Sequence, residues 1–205
     1  MRLTALLLVV ASALVVAQAD LDPESHARLP HLQRKDLNDA DQKIFDTLPG
    51  KGKDDVLRGP LAYAAYNPAV AKALFDLHNA AVAGSLTPRT RELAIMVACR
   101  ETRYNLEWNG HEATALKNGV DAKLLDVVRR RGALAGVDEK DAVVISFGRQ
   151  MLTDKKVDSA TFAKLSEIYG RKGAMDVVAV MITYADSGFY GIAVNEQPAA
   201  GKQPL

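Results

Sequence analysis

The chain has 205 residues, with 26 lysines and arginines against 25 aspartates and glutamates and a formal net charge of +1. Such balance gives no support for a nucleic-acid or anionic-membrane partner, and the length suits one domain with a real hydrophobic core. The single cysteine, Cys99, rules out an intrachain disulfide and any CxxC redox pair. Set in the apolar run Ile95-Met96-Val97-Ala98-Cys99, it reads as a small buried core residue.

At the N-terminus, Arg2 is followed by an apolar run from Leu3 to Val16 and a small-x-small sequence, Ala17-Gln18-Ala19. This is the pattern of a secretory signal peptide over residues 1–19, and it predicts a periplasmic or secreted protein. The run is shorter than the roughly 20 apolar residues a spanning helix needs, so no membrane association is expected after cleavage. Residues 20–60 are polar and broken by Pro23, Pro30, Pro49, Gly50, Gly52 and Gly59. They read as an N-terminal arm wrapping the domain, with one short helix near Asp39 to Leu48.

From residue 61 to residue 194 the pattern is helical and strand-like alternation is absent. Asn67-Pro68 starts a helix to Val82, where Val70, Leu74, Leu77 and Ala81 recur at the helical period. Thr87 caps a second, with Pro88 at its first position, that continues to about Glu101 and is apolar on more than one face, as a central buried helix would be. Asn105 is expected to cap a third, which stops at Asn118-Gly119. Further helices are expected from Asp121 to Arg131, Asp138 to Leu152, Asp158 to Tyr169 with Gly170 as its stop, and Met175 to Tyr190. The tail from 195 to 205 reads as loose. The fold class is therefore all-α, a single domain of about seven helices with short connections.

Only the segment Thr87 to Gly119 looks like chemistry. Glu107 and His111 stand at i, i+4 and share a helix face, with Tyr104 a turn earlier and Trp108 about 100° round the helix. Glu92 lies in the central helix. It can be a carboxylate desolvated for proton transfer, or one that favours the helix N-terminus or pairs with Arg89 or Arg103. Glu107 and His111 can likewise be an exposed pair that merely supports the helix. A metal site is not expected, because His111-Glu112 is followed by Ala115 where HExxH needs its second histidine, and His78 is distant in sequence. No GxSxG elbow or phosphate-binding glycine loop occurs, and no cofactor is expected.

The block LTPRTRELAIMVACRETRYNLEWNGHEATALKNGV resembles the carboxymuconolactone decarboxylase family, which includes the alkylhydroperoxidase D proteins. The resemblance implies the alkylhydroperoxidase D-like helical fold over 61–194 and a homo-oligomer, a trimer or hexamer. In the peroxidase branch it implies a glutamate, a CxxC pair and a histidine. Glu92 and His111 match the first and last, but Tyr104 and Glu107 stand at the cysteine places, so disulfide exchange lacks its thiols. The cysteine-free decarboxylase branch implies Glu92, Glu107 and His111 as acid-base residues, with Tyr104, Trp108, Arg89 and Arg103 as candidate contacts to a small-molecule substrate. The expected activity is decarboxylation, isomerisation or lactone opening on a small carboxylate or lactone, by a lyase or hydrolase acting outside the cytoplasm. Two other readings stay open: an antioxidant of the alkylhydroperoxidase kind, and a non-catalytic ligand-binding helical protein.

Overall fold

The structure, a computed structural model, describes residues 20–59, 61–197 and 205. The expected signal peptide at 1–19 and tail residues 198–204 lie outside the described residues. Seven helices form among those described: α1 Asp39–Phe45, α2 Pro68–Val82, α3 Pro88–Thr102, α4 Asn105–Lys117, α5 Ala122–Arg129, α6 Glu139–Arg149 and α7 Ser159–Ala193. The described residues contain no strand, only two isolated bridges within the arm, Gln33 with Val56 and Lys51 with Leu57. None of the described helices is long and apolar enough to cross a membrane.

The helix starts follow from side chains that satisfy free backbone N–H groups. Asn67 accepts from the amide of Val70, Thr87 from Thr90, Asp121 from Lys123, Asp138 from Lys140 and Asp158 from Thr161. Each such cap stabilises its helix by about 1 kcal/mol. Asn105 departs from expectation. It is the first residue of α4 rather than its cap, and Tyr104 takes the cap position without a side-chain bond. The reason is local: Arg103 ends α3 in the left-handed region at φ 57°, and Tyr104 N–H closes back onto Cys99 C=O. The chain therefore turns one residue earlier, and the Asn105 side chain accepts from Leu205 N–H instead.

Helix α3 is the axis of the fold, with Leu93 through Cys99 buried without interruption. It contacts α4, α5, α6 and α7. Enclosure on all sides explains why its sequence lacks a polar face, and each buried Leu, Ile, Val or Met contributes about 1.5–3 kcal/mol relative to exposure. Close approach to α6 depends on Gly148, where a Cβ would lie 2.4 Å from Val97 and 2.9 Å from the Met181 methyl. Helix α7 breaks at Gly170, whose φ of 71° and ψ of 167° are not helical. The expected stop is thus present, but the helix resumes at once, and its second half packs on α2, α3 and α6.

The arm has a core of its own. Leu32, Phe45, Leu48 and Leu57 pack with Ala64, Ala65 and Ala71 against the start of α2. Beyond α7 the chain is fastened rather than loose as far as 197: Glu196 N–H bonds Gly191 C=O and Gln197 N–H bonds His26 C=O.

Candidate acid-base site

The connection between α3 and α4 is only two residues, so the two helices fold back as a hairpin and the inner faces of their sequences meet. Glu92 on α3 and Glu107 and His111 on α4 come together there. Nδ1 of His111 lies 3.0 Å from Glu92 Oε2, and Nε2 lies 3.5 Å from Glu107 Oε2. The carboxylates are buried, at 4% and 6% exposure, whereas the histidine side chain keeps 24% and gives the group its opening to solvent. Since an ionised carboxylate only accepts, Nδ1 carries the proton that points to Glu92, which leaves Nε2 facing Glu107. Burial pushes the Glu107 carboxyl up from its ordinary value. His111 opposes the shift, and the charges of Glu196 and Asp186 add to it.

Sequence reasoning missed the residues around this group because they come from distant parts of the chain. Tyr184 of α7 sets its ring edge-on to His111, with centroids 4.9 Å apart at 87°. His78 of α2 stands on the other side of Tyr184, ring centroids 5.7 Å apart. Burial lowers the His78 pKa, with His111 and Arg91 contributing, so this second imidazole is held neutral more readily than an exposed one. Below it opens a cavity of about 220 Å³, roofed by Pro49, Gly50 and Arg58 of the arm and walled by α2 and α7. Asp186 lines it, and burial raises the Asp186 carboxyl above its ordinary value. A single acid in the otherwise apolar run around Met181 to Tyr190 was the one signal in the sequence that pointed there.

The expected substrate contacts are dispersed. Tyr104 is buried with its hydroxyl 2.6 Å from Glu196 Oε2, and the other oxygen of Glu196 accepts from Tyr63 at 3.3 Å. Trp108 is in the main core, and Arg129 stacks over its ring at 4.7 Å. Arg89 is locked bidentately onto Asp141 at 2.6 and 2.7 Å and onto Gly119 C=O. Arg103, exposed at the end of α3, lines a small cavity with Tyr104 and Glu196. Neither of the ion pairs considered for Glu92 forms, because Arg89 is taken by Asp141 and His111 occupies the carboxylate. Cys99 is fully buried; burial drives its thiol well above the ordinary value, and the nearby charges of Glu107 and Glu92 add to that. No cluster of three or more metal-ligating side chains occurs among the described residues.

The arrangement of helices around a buried central hairpin is the alkylhydroperoxidase D-like fold. The fold is shared with the alkylhydroperoxidase AhpD core of an uncharacterized peroxidase-related protein from Ralstonia eutropha JMP134. That similarity has a TM-score of 0.63 at 20% identity and covers 88% of this chain and 98% of the other. It is shared also with the debrominase Bmp8, as a variant bound to 2,3,4-tribromopyrrole (TM-score 0.61, 18% identity, 83% of this chain and 90% of the other). Apo Bmp8 gives a TM-score of 0.60 at 16% identity over 83% of this chain and 91% of its own. The sequence model of the carboxymuconolactone decarboxylase family matches residues 68–145, the segment that carries Glu92, Glu107 and His111. No curated protein matches the chain in sequence.

Proposed function

We propose that this chain is an acid-base enzyme that moves a proton on a small carbonyl compound, a lactone or carboxylic acid, in a decarboxylation, isomerisation or lactone opening. The observation that carries the reading is the buried line Glu92–His111–Glu107, an imidazole held between two carboxylates with one edge toward solvent. Glu92 fixes the ring and its tautomer. Glu107, its proton affinity raised by burial and its carboxyl facing Nε2, is the group placed to pass a proton to or from the ring. In a decarboxylation the carbon–carboxylate bond breaks, its electron pair enters the carbonyl system as an enolate, and the His111–Glu107 pair returns a proton to carbon. In an isomerisation the same pair first removes a proton from carbon.

A thiol peroxidase is the weaker reading, since the one cysteine is sealed in the core with its thiol held protonated. The test needs no foreknowledge of substrate: γ-lactones, β-keto acids and hydroxy acids are incubated in deuterium oxide and followed by proton NMR. Deuterium uptake or carbon dioxide release that falls at least 100-fold in both His111→Ala and Glu107→Gln is expected. Turnover that survives both substitutions, or peroxide consumption that needs Cys99, overturns it.

We also propose that the chain acts outside the cytoplasm as a homo-oligomer. The support for assembly is an apolar stripe on α7, where Met175, Ile182 and Phe189 recur every seventh residue and are 47–56% exposed. Light scattering on Ile182→Glu checks it, with a fall to monomer mass expected.

A further inference from the structure

The cavity whose wall residue His78 packs on Tyr184, itself packed on His111, has a lining that selects by charge. We infer that it binds an uncharged, mainly apolar ring compound carrying one O–H or N–H group, which bonds to Asp186; the inference rests on the acid-base reading and narrows its substrate class. Leu61, Leu74 and Phe75 supply apolar wall, and the volume of about 220 Å³ fits a single substituted ring rather than a larger cofactor. Oδ2 of Asp186 is buried without any hydrogen-bond partner, while its Oδ1 accepts from the Ser187 hydroxyl at 3.2 Å. A carboxylate oxygen accepts more than one hydrogen bond, so Oδ1 keeps capacity for a ligand donor beside the Ser187 hydroxyl.

An anionic substrate finds no counter-charge here. Arg58, the only cation among the described lining residues, is paired with Asp54 at 2.7 Å and reaches Glu24 at 3.5 Å. Arg89 is bound to Asp141 and does not line the cavity. The one carboxylate of the lining, Asp186, is near enough to Glu107 for its charge to raise that carboxyl, so the surroundings are acidic. A second carboxylate brought into that space meets repulsion and loses its water. Of the two substrate types, the lactone is therefore selected over the acid, and a hydroxyl or ring N–H is added to its description. His78, on the cavity wall and against Tyr184, is the lining residue nearest in contact order to His111.

The test titrates the full mature chain with 4-fluorophenol, 4-fluorobenzoate and 4-fluorotoluene, read by fluorine NMR at pH 7. These share a ring and differ in being a neutral donor, an anion and a molecule without a donor. The phenol is expected to bind at least tenfold tighter than either of the others. In Asp186→Leu, which trades the acid of the lining for an apolar group of similar size, the phenol should lose about tenfold and fall to the level of the toluene. His111→Ala should bind the phenol within threefold of wild type, so a cavity that binds and a centre that fails to turn over are told apart. Equal or tighter binding of the benzoate, no phenol binding up to its solubility limit, or phenol affinity indifferent to Asp186→Leu overturns the inference.

Discussion

Two largely buried three-residue chains draw on the α3–α4 hairpin, and their difference shows what makes one of them a site. Glu92–His111–Glu107 places an imidazole between carboxylates; Tyr63–Glu196–Tyr104 places a carboxylate between phenols. Both are desolvated and both are hydrogen-bonded. In the second, burial and the Glu196 charge push both phenols up, away from neutral pH, so each hydroxyl stays a fixed donor. That chain ties the arm, the turn and the segment after α7 together. In the first, burial raises the Glu107 carboxyl while the imidazole of His111 stands 3.5 Å away, so a proton donor and acceptor face each other. Proton affinity near the working pH, rather than burial, separates a centre from a clasp.

The largest effect expected of any single change is His111→Ala. It removes the imidazole that bonds buried Glu92 and faces buried Glu107, so besides the loss of turnover it should cost about 3 kcal/mol of stability at pH 8. The loss should shrink at pH 5, where the carboxylates left behind can take up protons. Urea denaturation at the two pH values measures this, and a loss independent of pH would mean that the histidine was only filling space.

The clasp is broken from its packing side. Gly191 admits the Tyr104 ring so closely that a Cβ would lie 2.3 Å from it. Gly191→Ala should therefore cost about 2 kcal/mol by forcing the ring off its bond with Glu196. Turnover should fall far less than in His111→Ala. A loss of activity equal to that of His111→Ala would make Tyr104 part of the chemistry and erase the distinction between the chains.

The same contrast explains what the sequence made legible. Glu107 and His111 are one helical turn apart, and Glu92 is 19 residues from His111 across a tight hairpin, so period and turn chemistry suffice to bring them together. The capped helix starts at Asn67, Thr87, Asp121, Asp138 and Asp158 were legible for that reason too. The Tyr63–Glu196 and Tyr104–Glu196 bonds span 133 and 92 residues, and His78 meets Tyr184 across the α2–α7 packing. Nothing local encodes such pairings; they follow from how helices stack. The pairing of Arg89 with Asp141 was illegible for a related reason, since the two are 52 residues apart and read from sequence as unrelated surface charges.

The smallest effect is the most diagnostic, because its sign is opposite to that of the others. Burial raises the Glu107 carboxyl, so the folded chain holds that proton where the unfolded chain has already released it. Below the ordinary carboxylate range both states are protonated and the group contributes nothing to pH dependence. As pH rises through that range the unfolded state ionises first, stability falls, and the loss levels off once the folded group has ionised too. Glu107→Gln keeps the shape and cannot ionise. It should match wild type near pH 4 and exceed it by about 1 kcal/mol at pH 7.5, while turnover is lost. Urea midpoints at both values read the crossover. A variant less stable than wild type at pH 7.5 would show that His111 holds Glu107 as a carboxylate and that the proton between them resides on the imidazole.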